Sequence, residues 1–300
     1  MSFPTPHPAI FLLLFASVLC DAQTATCTNW HLFNLPSASA NTNPSGINRW
    51  GTVVGDTSDA SLSTLSGFIR YSNGTFKTYV VPSGRRTLFT RRNAQGITVG
   101  WADGGPGTEG LVLSVNLVTV DYPGAIGTIF EGINYWGTIV GIWSNTNPPF
   151  TGPWASFKLK NGVFTAIKFP GSVTTNVMSI SDKGVIVGYY NYYTFNGHYY
   201  PDHGFTLTNG VYKTLDNPKA SLAARNGTVL NDINSSGTIV GTYRPSDNLD
   251  HGFIYINGTF KDVKVPNFPY SRVNGINGYG DVTGIAYGSG SVTAYTAHCQ

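Results

Sequence analysis

The sequence predicts an all-β fold: a six-bladed β-propeller with four-stranded antiparallel blades, its ring closed by the N-terminal strand pairing in the C-terminal blade. Three observations carry this. First, the phrase Ile-Asn-x-x-Gly-x-Ile-Val-Gly recurs at Ile47 to Gly55, Ile133 to Gly141 and Ile233 to Gly241, with weaker copies at Arg92 to Gly100, Ile180 to Gly188 and Ile276 to Gly284. Second, its central glycines (Gly51, Gly96, Gly137, Gly184, Gly237, Gly280) lie 45, 41, 47, 53 and 43 residues apart. Four strands of about 5–6 residues plus turns need that length, which is the size of a propeller blade and too long for a β-helix coil. Third, Asn-Gly pairs at 73–74, 161–162, 209–210 and 257–258 sit between β-rich runs, and Asn-Gly accepts the positive φ angles of a tight hairpin.

Composition agrees. Charged residues are 11% of the chain, aromatics 13%, and 36 of 300 residues are Gly. The usual charged share is about 25%, so the profile favours turns and strands over surface helices. The net charge of +3 is small and dispersed, which argues against a nucleic-acid partner. The basic pairs Arg85-Arg86 and Arg91-Arg92 read as solvated turn and strand-edge residues.

In chain order, Ala9 to Leu19 is an eleven-residue apolar run, too short to span a bilayer. It fits a signal peptide over residues 1–22 cleaved after Ala22, although the preceding segment carries no Lys or Arg. The expected product is secreted, periplasmic or cell-surface, without stable membrane insertion, and comprises one domain over 23–300. Trp30 to Leu35 reads as a lone strand ended by Pro36. Repeats then begin near 47, 92, 133, 180, 233 and 276. Each has an inner strand ending in Ile-Asn, a second strand ending in Val-Gly, a third with a Gly-Phe core, and an outer strand after Asn-Gly that ends at Pro. The last repeat lacks the outer strand, and Trp30 to Leu35 can supply it. Cys27 and Cys299 flank that junction, where the other repeats have a tight hairpin, so a Cys27–Cys299 disulfide would staple the missing turn. Two free thiols at frayed ends are the alternative.

The phrase, followed by His-Gly-Phe at His203 to Phe205 and His251 to Phe253, resembles the HAF repeats of bacterial extracellular proteins. Other repeats lack the His, as in Ser66-Gly67-Phe68 and Ala155-Ser156-Phe157. The resemblance spans most of residues 40–299. It implies an exported, propeller-like protein and carries no activity.

In a blade, the loops between second and third strands share one face with the connections between blades. They vary in length, whereas the turns on the opposite face are tight and repeated, so the loop face is the expected binding face. Its aromatic candidates are Trp101, Trp143, Trp154, Tyr189, Tyr190, Tyr192, Tyr193, Tyr243 and Tyr287, with His198 among the tyrosines. Flat rings beside Asn and Asp suit sugar rings; packing between blades is the alternative use of such rings. His203 and His251 recur third from the axis, which points to bonds with a neighbouring blade's backbone and away from a metal site. Among the carboxylates, Asp56, Asp103, Asp202, Asp216, Asp247 and Asp250 follow or lie in loops, but no catalytic pair stands out. No nucleophile elbow, zinc, calcium or phosphate-loop motif is present. The expected function is a monomeric, non-enzymatic scaffold, without cofactor or metal, that presents an aromatic face to a glycan or extracellular protein. A carbohydrate-active hydrolase or lyase and a structural cell-envelope module are the alternatives.

Overall fold

The computed structural model describes residues 23–35, 41–58, 65–81, 86–104, 107–146, 154–192, 201–223, 226–288 and 290–300. The proposed signal peptide, Tyr193 and His198 lie outside them. Every regular element among the described residues is a strand, and no helix there is long and apolar enough to cross a membrane.

Each repeat folds as an antiparallel meander. In the first, Asn41–Ile47, Val53–Ser58, Leu65–Arg70 and Phe76–Tyr79 pair in sequence order. The other inner strands are Thr87–Arg92, Gly127–Ile133, Thr174–Ile180, Gly227–Ile233 and Tyr270–Ile276. Each third strand buries one large side chain completely: Phe68, Leu111, Phe157, Phe205, Phe253 and Tyr295. Burying such a side chain stabilises by about 1.5–3 kcal/mol. These residues and the buried valines of the second strands pack repeat against repeat. The result is an all-β propeller with four-stranded antiparallel blades.

Its sheets differ in one respect from the expected six. The described residues form five hydrogen-bonded sheets, of which one has eight strands. There the meanders of the second and third repeats are joined by a single parallel pair, Gly127 with Thr108. Gly107 permits this approach, because a Cβ on it would lie 1.8 Å from the Ile126 carbonyl oxygen.

The sixth repeat takes its outer strand from the other end of the chain. Cys27–Phe33 pairs antiparallel with Ser291–Cys299, and Cys27 and Cys299 form a disulfide. The strand therefore starts at the cysteine and not at Trp30. Upstream of it, Gln23–Thr24 pairs parallel with Thr259–Asp262 of the fifth repeat. The N-terminus thus ties two neighbouring sheets together.

The repeated phrase acts between blades. Its Asn sits at the end of the inner strand and makes two kinds of bond. The Asn48 Oδ1 accepts from Trp50 and Thr52 N–H, both at 3.0 Å, which fixes the turn. Its Nδ2 donates to the Asn93 carbonyl of the next repeat at 3.2 Å. Asn93 then reaches Asn134 at 3.1 Å, Asn134 reaches Ser181 at 3.3 Å, Asn234 reaches Asn277 at 3.0 Å, and Asn277 reaches Asn48 at 3.2 Å. The fourth repeat carries Ser181 here, and no such bond leaves it among the described residues. Its neighbour Asp182 links the adjacent repeats instead, accepting from Tyr135 N–H at 2.7 Å and from the Ser235 hydroxyl at 2.6 Å.

Candidate functional site

Every inner strand is bulged at one place. The register skips Ser45, Thr90, Glu131, Met178, Asn231 and Asn274, each three residues before the Asn or Ser that opens the inner turn. A bulged residue has no partner across the strand pair and bends its strand. Opposite it stands the last Gly of the phrase, which has no room for a side chain. A Cβ on Gly55, Gly100 or Gly284 would lie 2.0, 1.9 and 1.9 Å from the inner strand's carbonyl oxygens. The bulges put six side chains of five kinds around the axis.

Arg91 follows one bulge and crosses the centre. Its Nη1 donates to the Ser45 carbonyl at 2.5 Å, and its Nη2 donates to the Asn231 and Asn274 carbonyls at 2.5 and 3.0 Å. Its Nε faces Asp232 at 3.4 Å in an ion pair. Asp232 accepts from the Ser179 hydroxyl at 2.5 Å and from Ile276 N–H at 2.9 Å. Arg91 is 9% exposed, so its reading as a solvated strand-edge residue fails. Carbonyls turned inward by the bulges need a donor, and one guanidinium supplies several.

This plug divides the axial space. On the loop face lies a cavity of about 400 Å³, with Glu131, Tyr189, Asn226 and Asn231 on its walls. On the turn face lies a second, of about 310 Å³. Charged groups gather at the mouth of the first. Asp202 and Asp250 occupy equivalent places, one residue before the His-Gly-Phe of neighbouring repeats. Asp250 accepts from Arg244 Nε and Arg272 Nε, both at 2.5 Å. Burial pushes its carboxyl up, but the two guanidiniums outweigh burial and hold it below the ordinary value.

The other two carboxylates go the opposite way. Burial pushes Asp202 up to about 6, against the pull of the Asn191 amide and Arg244. Burial pushes Glu131 up to about 7, with Arg91 pulling it down. Glu131 keeps some exposure to the cavity. Asn226 is 3% exposed, and its Oδ1 is buried without a hydrogen-bond partner among the described residues. A buried polar atom without a partner costs about 1–3 kcal/mol, which a polar ligand or water can relieve.

The aromatic candidates have varied fates. Tyr189 lines the cavity. Trp143 stacks on Tyr122 with ring centroids 4.3 Å apart. Tyr190 is buried, stacked on Phe169 at 3.7 Å, with its hydroxyl on Thr214. Tyr243 is buried and donates to Asp262 at 3.1 Å. Tyr287 accepts from Asp250 N–H at 3.2 Å. Trp101 and Trp154 are half-buried, and Tyr192 is exposed. Rings of this group therefore serve packing at Trp143, Tyr190 and Tyr243, and offer a surface at Tyr189 and Tyr192.

Two further expectations change. His203 and His251 bond carboxylates and not a neighbouring backbone: His203 Nδ1 meets Asp216 at 2.7 Å, and His251 Nε2 meets Asp247 at 3.0 Å. The turn face is also not plain. Trp50, Tyr135, Trp136 and Tyr279 are exposed there, because a two-residue turn leaves its tips nothing to pack under. What the sequence hides is the axial set. The one available signal was the residue three before each repeat's Asn, which varies among Ser, Thr, Glu, Met and Asn inside an otherwise periodic phrase.

No family model and no curated protein matches the chain. Solved structures do. The fucose-specific lectin of Aleuria aurantia is 11% identical, with a TM-score of 0.52 over 84% of this chain and 89% of the lectin. A gluconolactonase from Xanthomonas campestris is 10% identical, with a TM-score of 0.52 over 94% of this chain and 99% of that one. The β-propeller domain of the trilobed protease from Pyrococcus furiosus is 11% identical, with a TM-score of 0.51 over 86% and 81%. At these identities the likeness is one of fold: this chain is a β-propeller.

Proposed function

We propose that the protein is an exported, non-enzymatic propeller that holds a glycan in its loop-face axial cavity. The carrying observation is the buried Oδ1 of Asn226 on that cavity's wall, without a partner among the described residues. It stands beside a balanced set of three guanidiniums (Arg91, Arg244, Arg272) and three carboxyls (Glu131, Asp202, Asp250). Balanced charge disfavours a strongly ionic ligand, and donors mixed with acceptors suit hydroxyls. Tyr189 adds a ring for the sugar's C–H face. A lectin solved with a fucosylated sugar and a gluconolactonase are similar in fold, which supports the reading. The same reading takes the ring as six-bladed, with the eight-stranded sheet counted as two blades. It takes residues 1–22 as a signal peptide, the repeats as HAF-like and the protein as a monomer. A glycan-array screen tests it. Binding that disappears in Asn226→Ala and Tyr189→Ala supports the assignment; an array without hits, or hits untouched by both changes, removes it.

One observation favours a second reading, a hydrolase or lyase. Glu131 and Asp202 line the same cavity and both hold their protons to higher pH than ordinary carboxyls, as a general acid must. Turnover of a bound glycan, lost in Glu131→Gln while binding persists, would select this reading. Binding without turnover by the unaltered protein would reject it.

A further inference from the structure

We infer that the turn face carries a second, independent binding site, for a neutral oligosaccharide, built from the inner-turn aromatics. It does not rest on the loop-face assignment. Trp50 is 60% exposed and Trp136 is 71% exposed, yet neither ring is loose. The Trp50 indole N–H donates to the Ala94 carbonyl at 3.0 Å, and the Trp136 indole N–H donates to the Asp182 carbonyl at 3.1 Å. Each indole is thereby pinned across the gap to the next repeat, with much of its surface left to solvent. The two equivalent positions, two repeats apart, make two platforms of the same kind.

On the same face the turn-face cavity opens, with Arg49 and Tyr135, the sequence neighbours of the two indoles, and Asp182 and Tyr279 on its walls. Tyr279 is 58% exposed, and its hydroxyl accepts from Arg49 Nη2 at 3.2 Å. The Arg49 guanidinium lies 5.0 Å from the Trp50 ring centre and 6.0 Å from that of Tyr279. Tyr135 stands edge-on to Trp136 at 5.0 Å. Asp182 is held by Tyr135 N–H and Ser235. The face therefore offers pre-oriented rings around a polar well.

The occupant follows from what is already spent. Both indole N–H groups are committed to backbone carbonyls, so the platforms offer ring surface and no donor. A proline-rich peptide docks in one groove lined by neighbouring aromatic rings, whereas these two indoles stand two repeats apart. A pyranose needs only the ring beneath its C–H face, with hydroxyl partners at the side, and Arg49, Asp182 and the Tyr279 hydroxyl are such partners. Arg49 and Asp182 bring opposite charges, which favours a neutral sugar over an acidic one. Pre-set rings also reduce the ordering cost of binding.

The test titrates the protein with cellohexaose, chitohexaose and laminarihexaose, read by calorimetry and tryptophan fluorescence, with a proline decamer alongside. The expected result is binding of at least one hexamer, weakened roughly tenfold or more by Trp50→Ala or Trp136→Ala. Lys213→Ala, exposed on the outer strand of the fourth repeat, leaves it unchanged. Should Trp136→Ala unfold the protein, Trp136→Phe serves: it keeps a flat ring without the pinned N–H and is expected to retain binding. No hexamer binding overturns the inference. So does binding that survives both Ala changes or is lost in the Phe variant. Preference for the proline decamer, or a concentration-dependent dimer abolished by Trp136→Ala, assigns the face to a peptide or to a second copy and equally overturns it.

Discussion

The Asn277 side-chain amide donates to the Asn48 carbonyl oxygen at 3.2 Å, although 229 residues separate them. This bond clasps the last repeat to the first and is the same bond that joins neighbours in sequence. The bond is buried at both ends. Replacing Asn134 by Ala removes the donor to Ser181 and also the acceptor for Thr138 N–H. The expected loss is about 1–3 kcal/mol for the buried groups left unpaired, read as a lower midpoint in urea unfolding. The converse change, Ser181→Asn, restores the repeat's own residue and is expected to raise the midpoint. A midpoint unmoved by Asn134→Ala would show that this bond between neighbouring repeats contributes nothing.

Cys27 and Cys299 are 272 residues apart, so their bond closes almost the whole described chain. In the chain-entropy account such a loop is worth about 5–6 kcal/mol, acting through the unfolded state. The paired change Cys27→Ser with Cys299→Ser is expected to lower the thermal midpoint sharply. The folded ring should keep its far-ultraviolet spectrum, because Gln300 N–H still donates to Thr26 at 3.0 Å and the strand pairing remains. An unchanged midpoint under reducing conditions would contradict the staple.

Arg91 supports the axis from within. Arg91→Met leaves the Ser45, Asn231 and Asn274 carbonyls without their donor and Asp232 without its ion-pair partner. Removing one partner of a buried pair costs about 3–5 kcal/mol. Asp232→Asn in the same chain removes the stranded charge, so the double variant is expected to recover part of the loss. Chemical denaturation of the three variants measures the coupling. Additive losses would show that Arg91 and Asp232 act separately.

The strand order and the closing strand were legible because both rest on local chemistry. The Asn-Gly hairpins are an example: Asn161, Asn209 and Asn257 take φ of 50°, 50° and 52°, and the glycines after them take 78°, 81° and 81°. Asn73 does not, and instead caps Thr75 N–H at 3.0 Å. The axial site was not legible. A bulge is a relation between two strands, so nothing in Ser45-Gly46 or Glu131-Gly132 announces it. Arg91 looks like any strand arginine until inward carbonyls from other repeats surround it. The aromatic set failed for a related reason. Tyr189 and Tyr190 are adjacent, and the alternation of a strand sends one to the cavity and the other into the core. Exposure at Trp50 and Trp136 depends on how short their turns are, and the indole partners lie 44 and 46 residues away.

The last prediction concerns pH. Asp56 has an ordinary value of 3.8 and is pushed up to about 6 by burial, against the Asn43 amide at 3.0 Å. Asp202 and Glu131 shift the same way. A carboxyl whose folded value is raised binds its proton more tightly when folded. Its contribution to stability is therefore complete below the unfolded value and fades as the pH rises through the folded one. Stability should decline between about pH 4 and pH 7 as these three groups are forced to ionise. Below that window the sign reverses. Asp250, held low by Arg244 and Arg272, supplies stability that is lost as the pH falls through its folded value. Asp56→Asn isolates one component away from both cavities, since an amide cannot ionise. Its thermal midpoint should fall less between pH 4.5 and pH 7.5 than that of the unaltered protein. Equal declines would mean that Asp56 reaches water in the folded chain.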